Sequence, residues 1–168
     1  MASVKSDLPQ LETMFFYGTL INAQILARVL ARPISSLIVS PATLPNYCRH
    51  HVKGADYPAV ITAEESLTIR PFNEDLNVQG TSVQGLTSRD IRFLDAFEGD
   101  EYERIAVQVS TSAGDQWAYV YRWIGGLRNL SPDLWKYEDF LRDKAHRWVG
   151  TSRDEAEYRD ADMLRQAI

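Results

Sequence analysis

The sequence predicts an α+β fold, a mixed sheet curled into a barrel and flanked by a few helices. Short apolar runs punctuated by prolines and glycines fill the stretch from Ile34 to Leu86, and alternating apolar segments follow Gly99. Other stretches repeat their apolar residues at helical spacing, so strands and helices are segregated along the chain. With 168 residues there is room for one domain, expected over 12–149, with a polar lead-in at 1–11 and a charged tail at 150–168.

In chain order, Glu12 to Tyr17 reads as a buried strand that Gly18 stops. Asn22 can cap a helix carrying Ile25, Leu26, Val29 and Leu30 on one face, and Pro33 forbids its continuation. The segment 34–86 reads as strands and turns, with prolines at 41, 45, 58 and 71 and glycines at 54, 80 and 85 as punctuation. Thr87 with Asp90 forms a capping-box-like start for a second helix, and Gly99 offers a left-handed stop. Arg104–Val109 and Gln116–Trp123 alternate around Ala113-Gly114-Asp115 as a hairpin, with Trp117 and Trp123 expected in the core. A third helix is expected from Pro132 to about Arg147, with Leu134, Tyr137, Phe140 and Leu141 on one side. Thr151 to Ile168 lacks a strong apolar stripe and reads as a marginal or partner-stabilised helix.

Charge and composition narrow the function. Eighteen Lys and Arg against 23 Asp and Glu leave a net charge of −5, with no basic patch of the kind nucleic acid requires. Cys48 is the lone cysteine, and no charged-then-apolar leader opens the chain, which favours a reducing cytoplasmic setting. No apolar run approaches the roughly 20 residues of a membrane span. Three histidines, two of them the adjacent His50 and His51, give no clustered metal-ligand spacing.

Glu98 carries the most chemical information. Ile91, Leu94 and Phe97 form the apolar side of the Thr87 helix, and Glu98, four residues after Leu94 and seven after Ile91, falls on that same side. Desolvation there, together with the negative end of the helix dipole, favours the neutral carboxyl and raises its pKa toward the range of a proton shuttle. The other reading is a helix-end side chain turned outward to Arg92 or Arg104. Asp95, Asp100, Glu101 and Glu103 read as solvated charges that raise Glu98 further where they are close. Tyr17-Gly18-Thr19-Leu20 is a strand running into a glycine turn before a helix, which can leave successive N–H groups pointing one way, toward a carboxylate or oxyanion. Tyr102, four residues after Glu98, is placed to face the same cavity. Cys48 and His50 share a strand face and read as a packed cysteine beside a surface histidine.

Phe15-Phe16-Tyr17-Gly18-Thr19-Leu20, then Leu94-Asp95-Ala96-Phe97-Glu98-Gly99 followed by Tyr102-Glu103-Arg104, resemble the γ-glutamylcyclotransferase superfamily. The closer likeness is to its branch of avirulence-induced-gene-like proteins and γ-glutamylamine cyclotransferases, and Gly54-x-x-Tyr57-Pro58-Ala59-Val60 with Val83, Gly85 and Leu86 fits that branch, over about Met14 to Phe140. The resemblance implies a partly closed barrel with a cavity at its mouth and a cofactor-free reaction on a small γ-glutamyl molecule. In that reaction the α-amine attacks its own side-chain carbonyl and releases 5-oxoproline. It also implies Glu98 as the acid/base and Tyr17, Gly18, Thr19 and Leu20 as the substrate-holding turn, with Tyr102 lining the cavity. The same shuttle acting on a specialised metabolite, and a binding module without turnover, are the alternatives.

Overall fold

The structure is a computed structural model that describes residues 12–70 and 76–149. The expected lead-in, the charged tail from 150 with its helix, and Pro71 lie outside the described residues. The elements are β1 (Glu12–Phe16), α1 (Ala23–Leu30), β2 (Ile38–Pro45), β3 (Tyr47–Val52), β4 (Pro58–Thr62), α2 (Ala63–Ile69), β5 (Asn77–Leu86), α3 (Ser88–Glu98), β6 (Tyr102–Thr111), β7 (Gly114–Trp123), β8 (Leu130–Leu134) and α4 (Tyr137–Asp143).

Five strands close on themselves in the order β1-β5-β2-β6-β7, returning to β1 through the parallel pair Met14↔Tyr119. The seam between β2 and β6 rests on a single pair, Thr43↔Ser110, so the α+β barrel is only partly closed. An arm of β4, β3 and β8 extends from β7 through another parallel pair, Val60↔Arg122. The edge of β7 is therefore shared: β1 lies against it at Tyr119 and β4 at Arg122, and the two strands part between these points.

The apolar run of β1 is explained by burial on both faces. Phe15 packs inside the barrel with Leu44, Val78, Val109 and Val120, while Met14 and Phe16 lie outside, beneath Ile25 and Leu26 of α1 and Ile91 and Leu94 of α3. Asn22 caps α1 through its side chain, accepting from the N–H groups of Gln24 and Ile25 at 2.9 and 3.2 Å. The Thr87–Asp90 box at the start of α3 is complete, and Arg32 clamps the same Asp90 carboxylate at 3.0 and 2.7 Å, tying the end of α1 to α3.

Several sequence expectations change. A helix, α2, interrupts the strand-and-turn region; its signal was the reciprocal cap of Thr62 and Glu65. Gly99 ends α3 at φ +78° and ψ −165°, a glycine-accessible conformation but not the left-handed helical one, because the chain turns almost at once into β6. In the hairpin, Gly114 pairs with Thr111, so the loop is Ser112-Ala113 and Asp115 belongs to the strand. Trp117 is 64% exposed, although Trp123 is buried as expected. Cover from α3 reaches Tyr121 through Asp95, and β6 supplies Arg104 above the Tyr119 ring, but Trp117 stands beyond both.

The expected third helix is instead the edge strand β8, the short α4 and a 3-10 turn, Ala145–Trp148. Pro132 fits β8 because an edge strand does not require every N–H. Leu134 is thereby a strand residue, Phe140 is buried and Leu141 is exposed. His50 is fully buried rather than at the surface. Its Nδ1–H donates to the Ser131 carbonyl at 2.9 Å, and Nε2 accepts from the Ser66 hydroxyl at 2.8 Å, with burial lowering its pKa.

Candidate active site

A pocket of about 180 Å³ opens where β1 and β4 part from each other on β7. From β1 and the turn after it come Tyr17, Gly18, Thr19 and Leu20; from the end of α3 and the start of β6 come Glu98 and Tyr102. The structure thus brings together all six residues singled out in the sequence. It adds Tyr57 in the loop before β4, Pro58 at the start of β4, Glu101, Tyr121 and Trp148.

The Tyr17–Leu20 turn is shaped by close contact. Gly18 lies so near Pro58 that a Cβ would stand 2.8 Å from its ring carbons, which accounts for glycine at this position. A 3-10 turn over Thr19–Ile21 follows, closed by bonds from Ile21 N–H to the Gly18 carbonyl at 3.0 Å and from Asn22 N–H to the Thr19 carbonyl at 3.1 Å. The N–H groups of Thr19 and Leu20 precede these bonds and have no acceptor inside the turn. On its other side, the carbonyl of Tyr17 accepts from Arg49 at 2.8 Å. The same guanidinium reaches the carbonyls of Gln79 and Trp135 at 2.9 and 3.0 Å. Burial brings Arg49 down to about 10, so it remains charged at neutral pH while holding these segments together.

Glu98 projects from the last turn of α3 into the pocket. Burial, with the charge of Asp95 as the second cause, pushes its carboxyl up to about 8. The residue keeps partial exposure because one side of it faces the cavity, a location that lets a carboxyl be desolvated and reachable together. Of the two arginines considered as partners, Arg104 pairs with Asp95, at 3.0 and 3.3 Å.

Three phenols surround this carboxyl, and each has its proton committed. Tyr17 donates to the Tyr121 carbonyl at 2.6 Å, Tyr102 to the Pro58 carbonyl at 2.8 Å, and Tyr121 to the Asp95 carboxylate at 2.6 Å. Burial first raises all three above the ordinary tyrosine pKa, and the charge of Glu98 adds to each, so they are neutral in the physiological range. With these hydrogens turned to protein acceptors, the three phenols have no proton to donate into the pocket, and the Glu98 carboxyl offers it an acceptor. Among the described lining residues there is no Lys, Arg or His. The pocket therefore suits an ammonium group near Glu98, while an anionic group has the backbone N–H groups of the turn as its donors.

The sequence alone assigns no site role to the other lining residues. Tyr121 belongs to the alternating set Trp117, Tyr119, Tyr121 and Trp123, aromatics that can stack a ligand but on a strand usually fill a core, and Glu101 reads as a solvated charge. Tyr57 and Pro58 stand inside the Gly54–Val60 motif without an assigned role, and Trp148 lies just past the expected end of the third helix at about Arg147. Only the motif containing Tyr57 carried a signal that could have found it. Among the described residues no group of three or more His, Cys, Asp or Glu is placed to hold a metal ion. No described helix is long and apolar enough to cross a membrane.

The comparisons agree with this architecture. AIG2-like protein A of Arabidopsis thaliana is 31% identical over 151 residues, 87% of this chain and 82% of that protein. AIG2-like protein B of the same plant is 33% identical over 142 residues, 82% and 73% of the two chains. A solution structure from Arabidopsis thaliana superposes with a TM-score of 0.60 at 27% identity, covering 86% of this chain and 89% of that one. A structure named gamma-glutamyl cyclotransferase gives 0.52 at 15% identity over 73% and 69%, a likeness of fold alone. The sequence model of one family, described as gamma-glutamyl cyclotransferase, AIG2-like, spans residues 14–142 and so takes in the barrel, the turn after β1 and the end of α3; the chain belongs to that family.

Proposed function

We propose that this protein is a γ-glutamyl cyclotransferase that forms 5-oxoproline, with Glu98 as its acid/base. The observation that carries the reading is a carboxyl pushed up to about 8 at the wall of a small pocket, beside a turn with open N–H groups. The substrate's α-ammonium gives a proton to Glu98. The freed amine attacks the side-chain carbonyl carbon, forming the ring C–N bond; the original amide C–N bond breaks as the departing nitrogen takes the proton back from Glu98, and the surplus proton of the ring nitrogen passes to the released amine, which leaves as an ammonium. A pKa close to the working pH suits a group that must both accept and return a proton. The N–H groups of Gly18, Thr19 and Leu20 hold the substrate carboxylate and the developing oxyanion, and ring closure depends on folding the substrate correctly.

The absence of basic side chains among the described lining residues favours γ-glutamyl amines over γ-glutamyl peptides, whose leaving portion bears its own carboxylate. This reaction uses one carboxyl group and backbone amides, with a small γ-glutamyl molecule as the partner. A reducing cytoplasmic setting is supported by the lone, buried Cys48.

The test is a mass-spectrometric search for 5-oxoproline across γ-glutamyl amines, γ-glutamyl amino acids and glutathione, with wild type and Glu98→Gln. Release by wild type, lost in the variant, is expected. No turnover of any member, or a fully active Glu98→Gln, overturns the reading.

A further inference from the structure

One wall of the pocket comes from beyond the stretch matched by the family. Trp148 lines the cavity and stands on the 3-10 turn Ala145–Trp148, past residue 142. It is 3% exposed, and its ring meets Phe97 and Phe140 edge-on with centroids 6.3 and 6.2 Å away.

Asp56 holds this turn in place. The indole N–H of Trp148 donates to its Oδ2 at 3.1 Å, and the Arg147 guanidinium lies 3.4 Å from its Oδ1. From a third direction the indole N–H of Trp135 donates to the Asp56 backbone carbonyl at 2.9 Å. The Asp56 side chain is only 14% exposed, a setting in which hydrogen bonds to a carboxylate are strong. Asp56 directly precedes Tyr57 and Pro58, which line the same pocket. One carboxylate thus joins two walls, the loop before β4 and the turn after α4.

We infer that Trp148, latched by Asp56, is a specificity-determining residue that sets the width of the pocket beside Phe97 and Tyr57. It admits γ-glutamyl derivatives of small, unbranched amines in preference to bulky ones. The inference rests on the cyclotransferase reading. The cavity, at about 180 Å³, is smaller than the roughly 300 Å³ at which pockets for drug-sized ligands begin. A γ-glutamyl group occupies much of it, so the position of one aromatic wall decides what amine fits alongside. In an apolar pocket a single methylene changes discrimination by roughly 10- to 200-fold.

The test compares kcat/KM for γ-glutamyl ethylamide and γ-glutamyl benzylamide in wild type, Trp148→Phe, Trp148→Ala, Asp56→Ala and Asp56→Asn. The benzylamide-to-ethylamide ratio is expected to rise about tenfold or more in Trp148→Ala and Asp56→Ala. A smaller rise is expected in Trp148→Phe. Asp56→Asn, which keeps an acceptor for the indole, stays near wild type, and the pH limb belonging to Glu98 does not move. If Trp148 only packs the core, its variants lower both rates alike and the ratio is unchanged, which overturns the inference; Trp148→Phe serves this purpose should the alanine variants not fold.

A second readout needs no turnover. Protein labelled with 5-fluorotryptophan is titrated with propylammonium chloride, and the Trp148 signal is assigned by its absence from Trp148→Phe. The Trp148 signal is expected to shift in wild type, and a signal that stays put overturns the inference. If wild type forms no 5-oxoproline from any γ-glutamyl compound, the cyclotransferase reading fails separately, while the fluorine signal still decides whether Trp148 faces an occupied pocket.

Discussion

The phenol of Tyr17 donates a 2.6 Å hydrogen bond to the backbone carbonyl of Tyr121, between the points where β1 and β4 meet β7. Where two strands share and then leave one edge, the carbonyl at the parting lies outside both short ladders, and a buried carbonyl needs a donor. Tyr17 supplies it from the end of β1, so the gap that becomes the pocket is held open without an orphaned acceptor. Tyr17→Phe is expected to lower stability by about 1–3 kcal/mol in urea denaturation. It is also expected to lower kcat/KM for 5-oxoproline release, because the turn it anchors loses its fixed position.

Glu98→Gln separates stability from activity. Folding raises the Glu98 pKa from 4.5 to about 8, so the native state holds a proton that the unfolded chain releases over this window. The stability contribution of this group is complete below about pH 4.5 and declines as pH rises through 8. A glutamine has no charged form to bury. Relative to wild type, the variant is expected to become more stable from pH 5 to 8, by on the order of a few kcal/mol at most, as activity is lost. Thermal unfolding of both proteins across that range checks this; a constant difference would contradict a buried carboxyl.

Asp95 and Arg104 are expected to move the pH profile in opposite directions. If Glu98 must be ionised to accept the substrate proton, kcat/KM rises as pH passes through about 8. Asp95→Asn removes the charge that is the second cause of the Glu98 shift, so the limb moves to lower pH. It stops well short of 4.5, because burial is the larger cause. Arg104→Met leaves Asp95 without its ion pair and moves the limb to higher pH. Both effects shrink with added salt, since Asp95 is 42% exposed. Profiles of kcat/KM against pH at low and high ionic strength provide the measurement.

Gly18→Ala tests the contact between the turn and β4. The new methyl would stand 2.8 Å from two ring carbons of Pro58, whose carbonyl also accepts the Tyr102 phenol. The added carbon is expected to displace two walls at once, with a loss of about 1–3 kcal/mol and a raised KM for the γ-glutamyl substrate. Calorimetry and steady-state kinetics read the two consequences.

Much of the helical framework was legible locally. Asn22 and the Thr87–Asp90 box mark helix starts through bonds that span two or three residues. The spacing of Ile91, Leu94 and Phe97 places Glu98 on the inner side of α3 by helical periodicity alone. The equivalent Thr62–Glu65 signal for α2 was present but lay among prolines and glycines that read as strand and turn. At the other end, apolar spacing from Leu134 to Leu141 resembled one long helix, although Pro132 and Leu134 sit on an edge strand beside β3.

By itself the sequence determined the α+β class, the capped helices and the side of α3 on which Glu98 stands, because caps and helical periodicity act over a few neighbouring residues. Tertiary structure alone decided that Tyr121 borders a pocket while Trp117, on the same alternating strand, faces solvent, and that Trp148 returns to meet Asp56. Those outcomes depend on strand register and on contacts across the chain, such as the 104-residue separation of Tyr17 and Tyr121. A period of two says which residues share a face; only the partner packed against that face determines whether it becomes core, surface or site.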